Sequence, residues 1–212
     1  MTRYYGQHNP PVDQVLEQLF PTDFIGYATD VGAGDGITDS NTYLFEQKGW
    51  PVLCIEPSPP YWEQCKQRRK IFSNCACGAI SVHGPVPFHI FRLREGYGGR
   101  SYGAISSLRP DMRLLEHFNK LGDVREEWTF PVKVRSLDDL LQNASFPGLD
   151  LLSIDTEGTE VDILVGMKFQ KYAPRVIVVE NNWDEPDART LLQSHGYKMV
   201  RRVEVNDFFV KE

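Results

Sequence analysis

The sequence has no apolar run long enough to cross a membrane, and no apolar segment follows Met1, where Thr2-Arg3-Tyr4-Tyr5-Gly6 stands instead. Neither a secretory signal nor a membrane span is expected, so the chain reads as a cytoplasmic protein without membrane insertion. Positive charge is also short: 23 Lys and Arg face 29 Asp and Glu, for a formal net charge of -6. A uniformly basic face for nucleic acid is therefore absent, and nucleic acid is not an expected partner. The strongest basic cluster, 66–70, lies late in a predicted helix, where cations suit the negative helix end, and reads as a solvated terminus. Cysteine is scarce, with Cys54, Cys65, Cys75 and Cys77 in mid-chain and no histidine at a zinc-ligand interval behind them. They read as reduced, partly buried thiols. No repeat and no linker divides the 212 residues, which suit one domain of ordinary globular composition.

What is present is an alternation of strand, turn and helix. Apolar runs predict strands over 24–31, 51–55, 73–80, 149–154 and 175–179. Helices are predicted over 12–19, from about 43 to Gly49, and over 61–70, 111–121, 137–142, 160–165 and 185–195. Ser40 or Asp39 is placed to cap the second of these, and Ser136 with Asp139 resembles a capping box with the shorter acid. Residues 197–203 and 208–210 predict a terminal antiparallel pair, and 128–134 a further strand. Residues 1–21 form an N-terminal arm and helix. Residues 81–110 break the rhythm: 82–92 reads as a hairpin or edge addition, and the glycine-rich stretch 94–108 as a mobile substrate loop. The fold class expected is α/β, with a mostly parallel central sheet, helices on both faces and a C-terminal antiparallel strand pair.

Parallel sheets bind ligands beyond the carboxyl ends of their strands, where the chain order switches sides. Three segments fall there. Asp30-Val31-Gly32-Ala33-Gly34-Asp35-Gly36 is a turn whose glycines let backbone approach a ligand. Its spacing is not that of a dinucleotide pyrophosphate loop, which disfavours a nicotinamide-dependent oxidoreductase. Glu56, at the end of the second strand, can accept both hydroxyls of a ribose. Cys77-Gly78-Ala79-Ile80 offers small groups that leave a slot for a flat base, or simply a core.

These segments, with Ser40-Asn41-Thr42, Gly49-Trp50, Cys54 to Ser58, Leu152 to Gly158, Val178 to Asn181 and Asn206 to Val210, resemble the motifs of FkbM-type S-adenosylmethionine-dependent methyltransferases. The resemblance spans residues 22–210 and implies a Rossmann-like methyltransferase fold. It implies that Asp30, Gly32 and Gly34 line the methionine end of S-adenosylmethionine with Asp35 nearby, that Glu56 holds the ribose, and that Ser58 and Ala79 lie by the adenosine. The full set so implied at the cofactor is Asp30, Gly32, Ala33, Gly34, Asp35, Asn41, Glu56, Pro57, Ser58, Ala79 and Asp155. Gly34 stands where the family more often has asparagine, and Thr156 where it often has valine. Family acceptors are hydroxyls of sugars, macrolides and other metabolites.

Asp155 and Glu157 follow one strand, and Glu180, Asn181 and Asn182 the next, so adjacent parallel strands bring them to one rim. A carboxylate within hydrogen-bond reach can take the proton of an acceptor hydroxyl as a methyl group is transferred. Asp155 is the first candidate for that base, then Glu157 and Glu180. The alternative is that Asp155 only binds the methionine amino group or caps the following helix. A further arrangement has Asp155, Glu180 and Asn181 hold one Mg²⁺, although no metal ligand set is fixed by the sequence. The five histidines are scattered, none beside the rim in sequence; His117 has some prospect of reaching the acceptor. Trp183 and Tyr97 are candidates for an acceptor wall. The expected function is O-methylation of a small-molecule hydroxyl. An RNA-modifying methyltransferase, using Arg68, Arg69, Arg92, Arg94, Arg100 and Arg109, and an inactive cofactor-binding protein of the same fold are the alternatives. A homo-oligomer is compatible with the sequence.

Overall fold

A computed structural model describes residues 2–93, 105–121 and 124–212. Its strands, in chain order, are β1 (Ala28–Val31), β2 (Val52–Ile55), β3 (Ile71–Ser73), β4 (Ala76–Gly78), β5 (Val86–Leu93) and β6 (Val124–Val132). There follow β7 (Val134–Ser136), β8 (Leu151–Ile154), β9 (Val176–Glu180), β10 (Tyr197–Val203) and β11 (Asn206–Lys211). The helices are α1 (Val12–Glu17), α2 (Tyr43–Gln47), α3 (Pro59–Arg68), α4 (Met112–Leu121), α5 (Leu137–Asn143), α6 (Glu160–Gly166) and α7 (Asp187–Ser194).

Seven strands form one sheet in the order β10-β11-β9-β8-β1-β2-β3. The pairings from β3 through β9 are parallel, whereas β11 runs antiparallel between β9 and β10. The mostly parallel sheet with a terminal antiparallel pair is thus as expected. From β1 the chain moves one way to β2 and later returns on the other side as β8, so the switch point lies between β1 and β8. Register then fixes the site. Ile55, Val31, Ile154 and Val179 pair in one row across four strands. The next residue on each strand is Glu56, Gly32, Asp155 and Glu180.

Side chains alternate between the two faces of a strand, and the core follows that period. Leu53, Ile55, Ile177, Val179 and Phe209 pack in one cluster with Leu140 and Leu141 of α5, Ile163 and Leu164 of α6 and Leu192 of α7. Their neighbours Val52, Cys54, Val176, Val178 and Phe208 pack in another with Val12 and Leu16 of α1, Leu44 and Phe45 of α2 and Cys65 of α3. Helices therefore cover both faces. This is why β2 and the apolar part of β9 are continuous apolar runs rather than alternating ones, and why β8 is broken only by Ser153.

The region 73–86 departs from expectation. Of the strand predicted over 73–80, only Ser73 belongs to the main sheet, as the end of β3, while β4 pairs in parallel with β7 in a separate sheet. The hairpin or edge addition expected over 82–92 is one strand, β5, which pairs antiparallel with the distant β6 in a separate two-stranded sheet. Phe88, Ile90, Val132 and Val134 close a small core against Ala76, and that burial outweighs a local turn at Gly84-Pro85. The substrate loop expected over 94–108 lies mostly outside the described residues, as do Tyr97, Arg94 and Arg100. Ser136 does cap α5, accepting the Asp139 N–H at 3.2 Å. Asp139 is too short to reach back in the usual way. Ser81 bridges the gap, donating to the Asp139 carboxylate and accepting the Ser136 N–H at 3.0 Å.

Two glycines of the turn after β1 are required for different reasons. A Cβ on Gly32 (φ 86°) would stand 1.7 Å from the Asp155 carbonyl oxygen, because β1 and β8 meet there. Gly34 (φ 55°) faces open space. Gly34→Ala is expected to cost about 1 kcal/mol, the left-handed backbone penalty alone, and Gly32→Ala at least about 2 kcal/mol more. Urea denaturation of the two variants tests this; equal losses would refute the close approach.

Candidate functional site

The four strand ends open onto a cavity of about 920 Å³, a size that suits small-molecule sites. Asp30 to Asp35, Glu56, Pro57, Asp155, Glu157 and Glu180 all line it, so the structure brings together most of the residues singled out from sequence. Glu56 is only 5% exposed. One of its oxygens accepts the Gly34 N–H at 2.8 Å and the other the Ser58 N–H at 2.7 Å. Glu56 thereby ties the glycine turn to the start of α3. An ionised carboxylate has about four acceptor positions, so each oxygen retains capacity for a hydroxyl of a ligand. Burial pushes its pKa up to about 8 against the pull of these two N–H groups, and Asp155 and Asp30 add to the rise.

Asp155, Glu157 and Glu180 each place a carboxylate oxygen within 4.8 Å of the others. Burial raises the Glu180 pKa well above the carboxylate range, and the charges of Asp155, Glu157 and Glu160 raise it further. Three acids this close cannot all ionise cheaply, so Glu180, hydrogen-bonded to Asp155, holds its proton to higher pH than an ordinary carboxyl group. Asn181 does not join them. Its side-chain amide donates to the Glu185 carbonyl and to Asp207, both at 2.9 Å, and its oxygen accepts the Glu185 N–H. The arrangement of Asp155, Glu180 and Asn181 around one site is therefore not formed; the acids that converge are Asp155, Glu157 and Glu180, with Asn182 on the cavity wall. Asp207, fully buried, also receives Arg189 at 2.8 Å and Arg202 at 2.7 Å, and so fixes the turn that carries Glu180 and Asn182.

The other predicted residues divide. Asn41 lines the cavity and donates to Ser153 Oγ at 3.1 Å. The Asp35 carboxylate folds back to accept the N–H groups of Ile37 (2.9 Å) and Thr38 (2.7 Å). Although burial opposes ionisation, these donors, the Thr38 hydroxyl and Arg68 hold Asp35 below the ordinary carboxylate value. Ser58 lies behind the cavity wall, with a buried hydroxyl that finds no partner. Ala79 packs its backbone against Gly166 of α6, and the small residues on the cavity wall are Ala76 and Cys77. This follows from β4 leaving the sheet before residue 79. The basic run is a solvated terminus at Lys66, Gln67, Lys70 and Arg68, the last paired with Asp35 at 2.7 Å, but not at Arg69, whose side chain is fully buried.

Residues not singled out complete the walls. Phe88, Ile105, Leu108, Leu114 and Phe118 make one side apolar, and Tyr61 lies near Glu56 on α3. Gln7 and His8 of the arm also line the cavity, which brings a histidine to the site that sequence distance had hidden. The arm is anchored by Asp13, whose carboxylate accepts the Tyr5 and Gly6 N–H groups at 2.7 and 3.1 Å. His117 stacks edge-on against Phe118, which itself faces the cavity. Trp183 is turned to the surface, where its indole N–H donates to Asp111 at 2.8 Å and Arg113 covers its ring. No helix among the described residues is long and apolar enough to cross a membrane.

The sequence matches the family described as Methyltransferase FkbM domain over residues 30–199. The chain belongs to that family. It is 24% identical over 155 residues to the 2-O-methyltransferase NoeI of Sinorhizobium fredii (strain NBRC 101917 / NGR234), covering 71% of this chain and 61% of that protein. The crystal structure of methyltransferase FkbM from Methylobacillus flagellatus KT aligns over 88% of this chain and 43% of its own, with 14% identity and a TM-score of 0.52. The chain thus spans about three fifths or less of the length of these relatives. The structural likeness establishes the fold.

The raised pKa of Glu56 has a pH consequence. The folded protein keeps a proton that the unfolded chain releases near 4.5, so stability without a ligand is fully present below 4.5 and is lost as pH rises through about 8. Each such group contributes a slope of up to about 1.4 kcal/mol per pH unit in that window. Glu56→Gln is expected to flatten the profile measured by chemical denaturation between pH 5 and 8. An unchanged slope would show that Glu56 stays ionised.

Proposed function

We propose that the protein is an S-adenosylmethionine-dependent O-methyltransferase acting on a hydroxyl of a small molecule. The observation that carries this is the row of Glu56, Gly32, Asp155 and Glu180 along one sheet edge, opening on one cavity. The residues present fit the cofactor. A turn whose Gly34 meets nothing within 4 Å, and a buried acid with unused lone pairs beside it, make a cradle for an adenosine-bearing group. Glu56 would hold the ribose hydroxyls, Asp30 with the turn 32–34 the methionine end, and Ala76 and Cys77 a place beside the base. When bound, S-adenosylmethionine supplies a methyl group made electrophilic by its sulfonium.

The chain's own part is alignment and proton removal. The acid cluster lies beyond Gly32, on the β8–β9 side of the turn, where an acceptor hydroxyl would approach. An ionised member, Asp155 first and Glu157 next, takes the hydroxyl proton at a carboxylate oxygen as the new carbon–oxygen bond forms. Glu180, hydrogen-bonded to Asp155, keeps that carboxylate in place. Transfer to oxygen is supported by the relative named a 2-O-methyltransferase. The net negative charge supports a small-molecule acceptor over RNA, and four free, buried cysteines suit the reducing cytoplasm. A second reading has the acid cluster hold a divalent cation such as Mg²⁺, which one unpartnered, buried Glu180 oxygen favours. It would lower the pKa of the acceptor hydroxyl.

Calorimetric titration with S-adenosylhomocysteine tests the cofactor assignment. Glu56→Ala is expected to weaken binding by about 1.5 to 3 kcal/mol, the worth of a hydrogen bond to a charged group; unchanged affinity would remove Glu56 from the ribose. Asp155→Asn is expected to reduce turnover far more than cofactor affinity, and equal loss of both would make it a binding residue. A titration with MgCl₂ alone that gives no heat would remove the cation.

A further inference from the structure

Arg69 lies outside every sequence segment that marks the site, directly after α3, yet its side chain is fully buried. Its Nε donates to Glu46 at 3.0 Å. One terminal nitrogen donates to the Gly36 carbonyl (2.9 Å) and Ser40 Oγ (3.2 Å), and the other to Thr42 Oγ1 (2.9 Å). The Tyr43 ring lies 5.5 Å from the guanidinium carbon. Both hydroxyls also contact Asp30, whose Oδ2 accepts from Thr42 at 2.6 Å and from Ser40 at 3.2 Å, with Arg69 itself 3.8 Å away.

The direction of these bonds is fixed by chemistry. A guanidinium only donates, and each hydroxyl has a single proton to give. Ser40 and Thr42 must therefore accept from Arg69 and pass their own protons to Asp30. The chain of donors runs from the buried cation, through two hydroxyls, to a carboxylate that is 4% exposed and lines the cavity. Glu56 and Asp155 lie on the same cavity.

We propose that Arg69 is a positioning residue for the methionine end of the cofactor site. Acting through Ser40 and Thr42, it holds the Asp30 carboxylate in place to meet the methionine ammonium group. The proposal rests on the cofactor reading above.

Two ligands separate a positioning role from a general structural one. S-adenosylhomocysteine carries the amino-acid arm, and 5′-methylthioadenosine keeps the adenosine and thioether without it. Wild-type protein is expected to bind both. Arg69→Lys cannot donate to both hydroxyls in the same fork, and should weaken S-adenosylhomocysteine about tenfold, the scale of one charge-assisted bond. Its affinity for 5′-methylthioadenosine should stay within about twofold. Asp30→Asn should reproduce that pattern, and combining the two should add little further loss, as for residues acting in one chain. Should Arg69→Lys fail to fold, Glu46→Leu with Arg69→Met removes the buried pair together and leaves Asp30 with its two hydroxyl donors alone; the same ligand contrast is expected. Equal loss of both ligands, or loss of neither, would overturn the proposal while leaving the cofactor reading intact. Wild-type protein that binds neither ligand would overturn both.

Discussion

The crowding of negative charge at one edge of the sheet is the constraint to which the rest of the structure answers. Asp30, Glu56, Asp155, Glu157 and Glu180 all face one cavity because parallel strands end in register there. Charges held this close and this far from bulk water are costly unless protonated, hydrogen-bonded or paired, and each solution is in use. Glu180 holds its proton to higher pH beside Asp155, Glu56 takes two backbone N–H groups, and Asp30 takes two hydroxyls with Arg69 behind them.

That arrangement is in keeping with the proposed cationic cofactor. A sulfonium and an ammonium entering the cavity would offset both the burial and the neighbouring acids that raise the pKa of Glu56. Affinity and stability are then linked, because a cationic ligand favours the ionised form that burial disfavours. The apolar wall from Phe88 to Phe118 and the polar arm residues Gln7 and His8 enclose this charge from opposite elements. They give the cavity chemically distinct surfaces for the two partners of a transfer reaction.

Structural and site roles are also divided within single motifs. Asn181 and Asn182 are neighbours, yet Asn181 locks the turn through Glu185 and Asp207 while Asn182 reaches the cavity. Asp35, inside the glycine turn, spends its carboxylate on the backbone of its own loop and on Arg68. Motif membership placed these residues near the site. It did not decide which way each one turned.

The sequence by itself determined the alternation of elements, the sheet edge that carries the site and the identity of its acids. These follow from local quantities: apolar runs of strand length, glycines at positive φ, and an acid immediately after a buried run. The fate of 73–80 was decided only in three dimensions, because β4 pairs with β7 some sixty residues away and carries Ala79 off the cavity. The same holds for the antiparallel β5–β6 pair, for His8 on the cavity wall, and for Arg69, which is one of four cations in a five-residue run. Nothing in that run distinguishes a solvated arginine from a buried one. The difference arises when the end of α3 packs against the turn after β1, a contact between segments more than twenty-five residues apart that no local pattern encodes.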